Sequence, residues 1–383
     1  MNISKHVEAM PASGIRAMFD LAAKYDDVVS FCIGEPDFET PQNVIEAGKF
    51  ALENGYTKYV PNSGIPELRE AIAEKMRREN GIDVKAENVM INNGACQSLM
   101  SAMQVIMDAG DEIILPDPCF PNYIGQIMLV GAKAVMVGCL EENAFHIKAE
   151  DIEKAITPRT KAIVLNSPCN PTGAVLSESE LKEIAEVVKK HDLIVISDEP
   201  YDTIVFDGKT ACSIASFPGM FEHTITINSF SKSHAMTGWR VGYAVAPKNV
   251  IDAMILIQES LSSSVNAAAQ YAAAQALKGQ QETTAYMTAE YEKRRNLLVK
   301  GLNEIKGISC IVPEGAFYAF VNIKGTGLTS VELATKLIEE AQVVLTPGSA
   351  FGDFGEGYIR ISYASSEEKL QEGINRMKKV LNK

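Results

Sequence analysis

Lys232 lies in the segment 229–243, SFSKSHAMTGWRVGY, between small hydroxyl residues and just after the apolar run TITIN at 224–228. A lysine held past a strand end, with room beside it, is desolvated and lowered in pKa, which makes it a nucleophile towards carbonyls. A solvated loop lysine is the plain alternative. Asp198 closes the run LIVIS at 193–197, and a carboxylate at the buried end of a strand needs a cation or hydrogen bonds. It could hold a ring nitrogen in its protonated form, with Tyr201 three residues later facing the same ligand. A structural ion pair and a packed tyrosine fit that short segment equally well.

Three further stretches carry recognition chemistry. The segment 92–98, NNGACQS, runs from strand to helix, so the free amides of Ala95 and Cys96 suit a phosphate, although ordinary helix starts read alike. In 166–173, NSPCNPTG, two prolines and a glycine make a rigid turn in which Asn170, before Pro171, projects its amide; a plain β-turn is the alternative. Arg240 in WRVGYAV and Arg360 in YIRISYA sit by apolar strand sequence, where guanidinium groups grip phosphates or carboxylates or form structural salt bridges. Gly34, in FCIGEPDFETP, gives a ligand access to the backbone. The glycines of 348–357 lead into a strand, unlike a dinucleotide loop. Five scattered histidines show no metal spacing, and seven cysteines without a CxxC pair predict neither a disulfide frame nor zinc.

The elements that must position these residues follow from periodicity. Between 88 and 228, short apolar runs (VMIN, EIILP, AVMVG, AIVLNSP, LIVISDEP, TITINSF) alternate with amphipathic stretches at 96–107 and 178–190. That alternation predicts an α/β fold with a mostly parallel sheet between helices, and a ligand beyond the strands' carboxyl ends. The polar ends 92–94, 116–118, 166–168, 198–200 and 229–232 should therefore cluster. Helices are predicted at 66–81, 247–261, 267–277 and 282–303, followed by a smaller α+β unit with strands at 316–323, 343–346 and 358–362 and helices at 330–340 and 367–381. The expected division is an N-terminal arm with part of the small domain over 1–45, a large domain over 46–290 and a small domain over 291–383. A net charge of −13 argues against nucleic acid. With no signal peptide and no long apolar stretch, the expectation is a cytoplasmic protein that does not enter membranes.

In order and approximate spacing, GEPDF, YVPNSGIPELREAIA, NGACQSL, PDPCFPNY, NSPCNPTG, SDEPY, SFSKSHAMTGWRVGY, PEGAFY, PGSAFG and YIRIS make the chain resemble the pyridoxal-phosphate-dependent aminotransferases of the aspartate aminotransferase family, fold type I, over nearly its whole length. The resemblance implies pyridoxal 5'-phosphate as cofactor, with Lys232 as the Schiff-base lysine and proton carrier. Asp198 then pairs with the pyridine nitrogen, Tyr201 and Asn170 donate to the phenolic oxygen, and Gly94, Ala95, Cys96, Ser229, Ser231 and Arg240 form the phosphate cup. It places the Tyr123 ring stacked on the cofactor, Arg360 with Asn170 and Gly34 on the substrate α-carboxylate, and Tyr59 on the phosphate of a neighbouring subunit, so that two complete sites need a homodimer. The implied reaction is ping-pong transfer of an amino group from an amino acid to a 2-oxo acid. A carbon–sulfur lyase shares the scaffold, and a non-catalytic cofactor-binding regulator is a further alternative. Residues 251–277 contain no lysine or arginine to meet a second carboxylate, and Phe120 with neutral neighbours suits an apolar or aromatic amino acid.

Overall fold

A computed structural model describes residues 2–10, 14–279 and 282–382, so parts of the expected N-terminal arm (1, 11–13) and the last residue of the expected small domain lie outside the described residues. Seven strands form the central sheet: β1 (Val89–Asn92), β2 (Glu112–Asp117), β3 (Lys133–Gly138), β4 (Thr160–Asn166), β5 (Ile194–Asp198), β6 (Thr224–Ser229) and β7 (Gly242–Val245). Their spatial order is β1-β7-β6-β5-β4-β2-β3. Only β7 runs antiparallel to its neighbours; the other pairs are parallel. Parallel strands cannot be joined by a tight turn, and the crossovers here carry helices such as Ala95–Ile106 and Glu178–His191.

Both faces of the sheet are covered, which is why its strands read as continuous apolar runs rather than alternating ones. Ile113, Val164 and Ile196 pack with Leu99 and Met103 of helix Ala95–Ile106 on one face. Ile114, Ile163 and Val195 pack with Leu181, Ile184 and Val188 of helix Glu178–His191 on the other. Local chemistry sets the ends of that second helix. The Ser177 hydroxyl accepts from Glu180 N while the Glu180 carboxylate accepts from Ser177 N at 2.8 Å, and Lys189, Lys190 and His191 occupy the last turn.

The smaller sheet consists of β8 (Tyr318–Asn322), β9 (Thr346–Pro347) and β10 (Tyr358–Ser362), antiparallel in the order β9-β10-β8. Helices Glu282–Leu302, Ser330–Ala341 and Glu367–Leu381 pack with it through Leu298, Leu337 and Ile374. The single strand expected at 343–346 is divided, because Val343–Val344 pairs in parallel with Val29–Ser30 and the chain then turns into β9. The N-terminal segment is pinned further by Phe31 N donating to Val344 O (2.7 Å) and Ser362 N donating to Phe31 O (2.9 Å). Residues 32–34 are thereby carried towards Lys232, beyond the carboxyl end of β6, where Gly34 O accepts from its amine. No helix among the described residues is long and apolar enough to cross a membrane.

One buried ion pair supports the strand end that precedes Lys232. Lys75, on helix Pro66–Glu79, meets Asp202 at 2.5 Å, and the Asn228 amide donates to the same carboxylate oxygen at 2.9 Å. Burial opposes the charge on Lys75, but the Asp202 carboxylate outweighs it and holds the ammonium protonated. Removing one partner leaves an uncompensated buried charge. Lys75→Met is therefore expected to lower stability by about 3–5 kcal/mol in urea unfolding, and pairing it with Asp202→Asn should restore much of the loss; a single variant as stable as wild type would rule out this support.

Candidate active site

The carboxyl ends of β4, β5 and β6, the start of helix Ala95–Ile106 and the smaller sheet enclose a cavity of about 430 Å³. Gly34, Ala95, Cys96, Asn170, Asp198, Tyr201, Ser229, Ser231, Lys232, Arg240 and Arg360 all line it. Four of the five strand ends expected to cluster contribute to its wall or border it. The fifth does not, because Asp117 turns to the loop before β10 and accepts from Asp353 N (3.1 Å) and Phe354 N (3.3 Å).

Lys232 lies on the short helix Phe230–Ser233, whose N-terminal Ser229 hydroxyl accepts from Ser231 N at 3.1 Å. Its Nζ donates to the Gly34 carbonyl at 2.5 Å and lies 5.9 Å from the centre of the Phe317 ring. Burial is the main cause that pushes this amine down to about 8; the Glu35 carboxylate opposes the shift, and Arg360 and Arg240 add to it. About a fifth of the amine is thus neutral at about pH 7.4, far more than for a lysine of ordinary pKa.

Asp198 ends β5 and is buried. Its Oδ2 accepts from the Tyr123 hydroxyl at 2.5 Å, while Oδ1 is buried without a hydrogen-bond partner. Burial pushes the carboxyl up to about 6 against the Tyr123 bond, which favours the charged form. Asn166 holds the backbone here: its Nδ2 donates to Asp198 O (2.8 Å) and its Oδ1 accepts from Asn170 N (2.8 Å). A desolvated carboxylate with one idle oxygen fits a protonated ring nitrogen.

Tyr123 departs from the place expected of it. It is fully buried, with its hydroxyl below the cavity on Asp198, and it does not line the wall. Helix Asn122–Leu129 begins one residue earlier and turns this ring into the core, whereas Phe120, in the loop before the helix, lines the cavity and packs edge-on against Tyr123 at 5.5 Å. Tyr59 does not reach this cavity; it is 90% exposed and borders a second hollow with Tyr56 and residues 264–268.

At one end of the cavity, Gly94 has φ +79° and precedes helix Ala95–Ile106, whose Ala95 and Cys96 amides have no acceptor among the described residues. No side chain fits here. A Cβ on Gly94 would lie 2.4 Å from Arg240 Nη2, and one on Gly242 would lie 2.5 Å from Gly94 C. Ser229 Oγ donates to Ser231 Oγ at 2.9 Å, and Arg240 Nη1 donates to Thr237 O at 2.8 Å. Free helix amides, two hydroxyls and a guanidinium are the donors a phosphate requires.

At the other end, Arg360 on β10 is 2% exposed. Nη1 donates to Asn170 Oδ1 (3.1 Å) and Nη2 to Cys32 O (2.5 Å), while Nε has no partner. Its Cζ lies 4.7 Å from the Tyr318 ring centre and 4.9 Å from that of Phe351. Among the described residues neither Arg240 nor Arg360 forms a salt bridge, so the structural ion pairs open from sequence are not what holds them. A buried guanidinium without a counter-ion is suited to a carboxylate. Tyr318 was not singled out from sequence, yet it lines the cavity and its hydroxyl lies 2.9 Å from that of Tyr201. The available signal was a tyrosine inside an apolar strand, whose buried hydroxyl demands a partner.

A family model described as aminotransferase class I and II matches residues 26–377. An aromatic-amino-acid aminotransferase 2 from Thermococcus litoralis is 47% identical over 384 residues, covering 100% of this chain and 98% of the relative. An aspartate aminotransferase from Pyrococcus abyssi shows the same identity and coverage. Among solved structures, an aspartate aminotransferase from Thermus thermophilus with maleate superposes with a TM-score of 0.95 at 39% identity, over 100% of both chains. An aromatic aminotransferase from Pyrococcus horikoshii OT3 gives 0.91 at 45% identity, over 96% of this chain and 98% of that one.

Two titrations test the electrostatics of the cofactor-free protein. Amine labelling of Lys232, read by peptide mass spectrometry, should rise with a midpoint near pH 8 rather than near the ordinary lysine value of about 10.4; the ordinary midpoint would mean that the amine is not desolvated. Asp198, with a folded pKa of about 6 above an unfolded value of about 3.9, adds stability below the unfolded value that is lost as pH rises through 6. Urea midpoints should therefore fall between pH 4 and 6.5 more steeply in wild type than in Asp198→Asn, and parallel curves would contradict the assignment.

Proposed function

This chain belongs to the class I and II aminotransferases, of fold type I, and we propose that this one cavity holds pyridoxal 5'-phosphate and passes an amino group from an amino acid to a 2-oxo acid. The observation that carries the cofactor is the idle Asp198 Oδ1, a buried acceptor in the wall that Lys232 shares. When bound, pyridoxal phosphate supplies an electron sink for charge developing at the amino acid's α carbon. Asp198 keeps the proton on the ring nitrogen. The Ala95 and Cys96 amides, Ser229, Ser231 and Arg240 hold the phosphate, with Gly94 leaving the space, and Tyr201 and Asn170 donate to the phenolic oxygen. Phe120 offers its ring where Tyr123 was expected.

Arg360 grips the α-carboxylate of the amino acid, with Asn170 fixing the guanidinium and the Gly34 backbone closing that side. Lys232 Nζ, its pKa lowered by burial, removes the α proton and hands it on, and the same amine returns a proton when the second substrate is aminated. The donor leaves as its 2-oxo acid before the acceptor enters, a ping-pong sequence. Tyr59, exposed on one chain, completes the phosphate contacts of a neighbouring subunit in a homodimer. The working unit is then an arm with part of the small domain over 1–45, a large domain over 46–290 and a small domain over 291–383, active in the cytoplasm.

The cavity also favours an uncharged donor side chain. Its cationic lining residues are Lys232, Arg240 and Arg360, each already assigned, while Ile33, Leu99 and Phe120 are apolar. Purified protein loaded with pyridoxal phosphate should absorb in the visible range, and Lys232→Ala should lose that band together with turnover, by about 10²–10⁴-fold or more. Retained band and turnover would overturn the assignment of Lys232. In a donor panel with 2-oxoglutarate, phenylalanine and tyrosine should exceed aspartate in kcat/KM; the reverse order would sink the apolar preference, and ammonia release with pyruvate would point to lyase chemistry.

A further inference from the structure

We propose that Tyr318 is a positioning residue for amino transfer, setting the Tyr201 hydroxyl and the Arg360 guanidinium together. The inference rests on the cofactor reading above and assigns a role to a residue outside the expected site. On neighbouring strands, Tyr318 pairs with Ser362 and Phe320 with Arg360, so Tyr318 and Arg360 are diagonal neighbours on one face of the smaller sheet. The Tyr318 ring centre lies 4.7 Å from Arg360 Cζ, a cation–π distance that fixes the tilt of a guanidinium lacking any carboxylate partner.

The hydroxyl acts in another direction. It lies 2.9 Å from the Tyr201 hydroxyl, and each carries a single proton. A Tyr201 that donates into the cavity must accept from Tyr318, which has no other acceptor among the described residues. The resulting chain of two hydroxyls makes Tyr201 a stronger donor. Tyr318 is held for this task. It is 1% exposed, and a Cβ on Gly34 would lie 2.3 Å from its hydroxyl oxygen, so only glycine leaves it room. The Gly34 carbonyl in turn accepts from Lys232 Nζ. One side chain of the smaller sheet thus touches the hydroxyl beyond β5, the arginine on β10 and the backbone that meets the lysine.

The test uses the full chain loaded with pyridoxal phosphate and follows the pH midpoint of its visible absorbance. Donation from Tyr201 stabilises charge on the phenolic oxygen and eases loss of the neighbouring proton, so a stronger donor lowers the midpoint. Tyr318→Phe keeps the ring and weakens the donor; the midpoint should rise by about half a pH unit, with KM for the amino donor within about twofold of wild type. In a Tyr201→Phe background the same change should leave the midpoint unmoved, because its path runs through Tyr201. Tyr318→Leu removes the ring and should raise KM about five- to tenfold over Tyr318→Phe, and Tyr318→Met serves where the leucine variant does not fold. An unmoved midpoint in Tyr318→Phe, a shift that persists without the Tyr201 hydroxyl, or equal KM values with and without the ring would each overturn the proposal. Absence of a visible band in wild type would instead defeat the cofactor reading itself.

Discussion

Asp198 is a carboxylate at the end of a strand packed on both sides, and its burial constrains everything around it. Desolvation outweighs the Tyr123 hydrogen bond and leaves it at about 6, so it is a strong acceptor only if donors are held in place. Tyr123 supplies one from beneath, at 2.5 Å, and Asn166 fixes the backbone oxygen of the same residue. These contacts need β4 and β5 to run in parallel and end together, with Asn166 opposite Asp198 in the register. A one-residue slip would turn Asp198 to the other face. The next residue shows the consequence of facing elsewhere: Glu199 is buried outside the cavity wall, takes its hydrogen bonds from Ser197 and Ser213, and is pushed up to about 7.

The second constraint is the joining of two sheets. Arg360 and Tyr318 stand on the smaller sheet, whereas Lys232, Asp198 and Tyr201 follow strands of the larger one. The N-terminal segment ties them by pairing Val29–Ser30 with Val343–Val344 and then running to Gly34, whose carbonyl meets Lys232. Cys32 O accepts from Arg360 on the way. A few backbone hydrogen bonds thus set the distance between the carboxylate-binding end and the amine. Locally the site is cationic in a chain of net charge −13, because its cations lack the carboxylate partners that surface lysines have.

Much of the fold was legible because its signals are local or periodic. Apolar runs bounded by polar ends defined the parallel strands, and amphipathic periodicity marked the helices. The residues that face a ligand at strand ends followed from the same pattern, and Lys232, Asp198, Tyr201, Asn170 and Arg360 line one cavity. Orientation around a helix start was not legible. Phe120 and Tyr123 are three residues apart in a short aromatic stretch, and only the point at which the helix begins decides which ring faces the cavity. Tyr318 escaped notice for a related reason, since its partners lie on other elements and no spacing in the chain encodes them.

By itself, the sequence determined the alternation of strands and helices, the acidic balance and the chemical types at the strand ends, because each depends on neighbouring residues and on burial patterns of fixed period. The tertiary structure alone decided the divided strand at 343–347, the turning of Asp117 away to the loop before β10, the descent of Tyr123 beneath Asp198 and the meeting of Tyr318 with Tyr201 and Arg360. Those contacts join residues distant in the chain, and their distances are set by packing density and register rather than by any local preference.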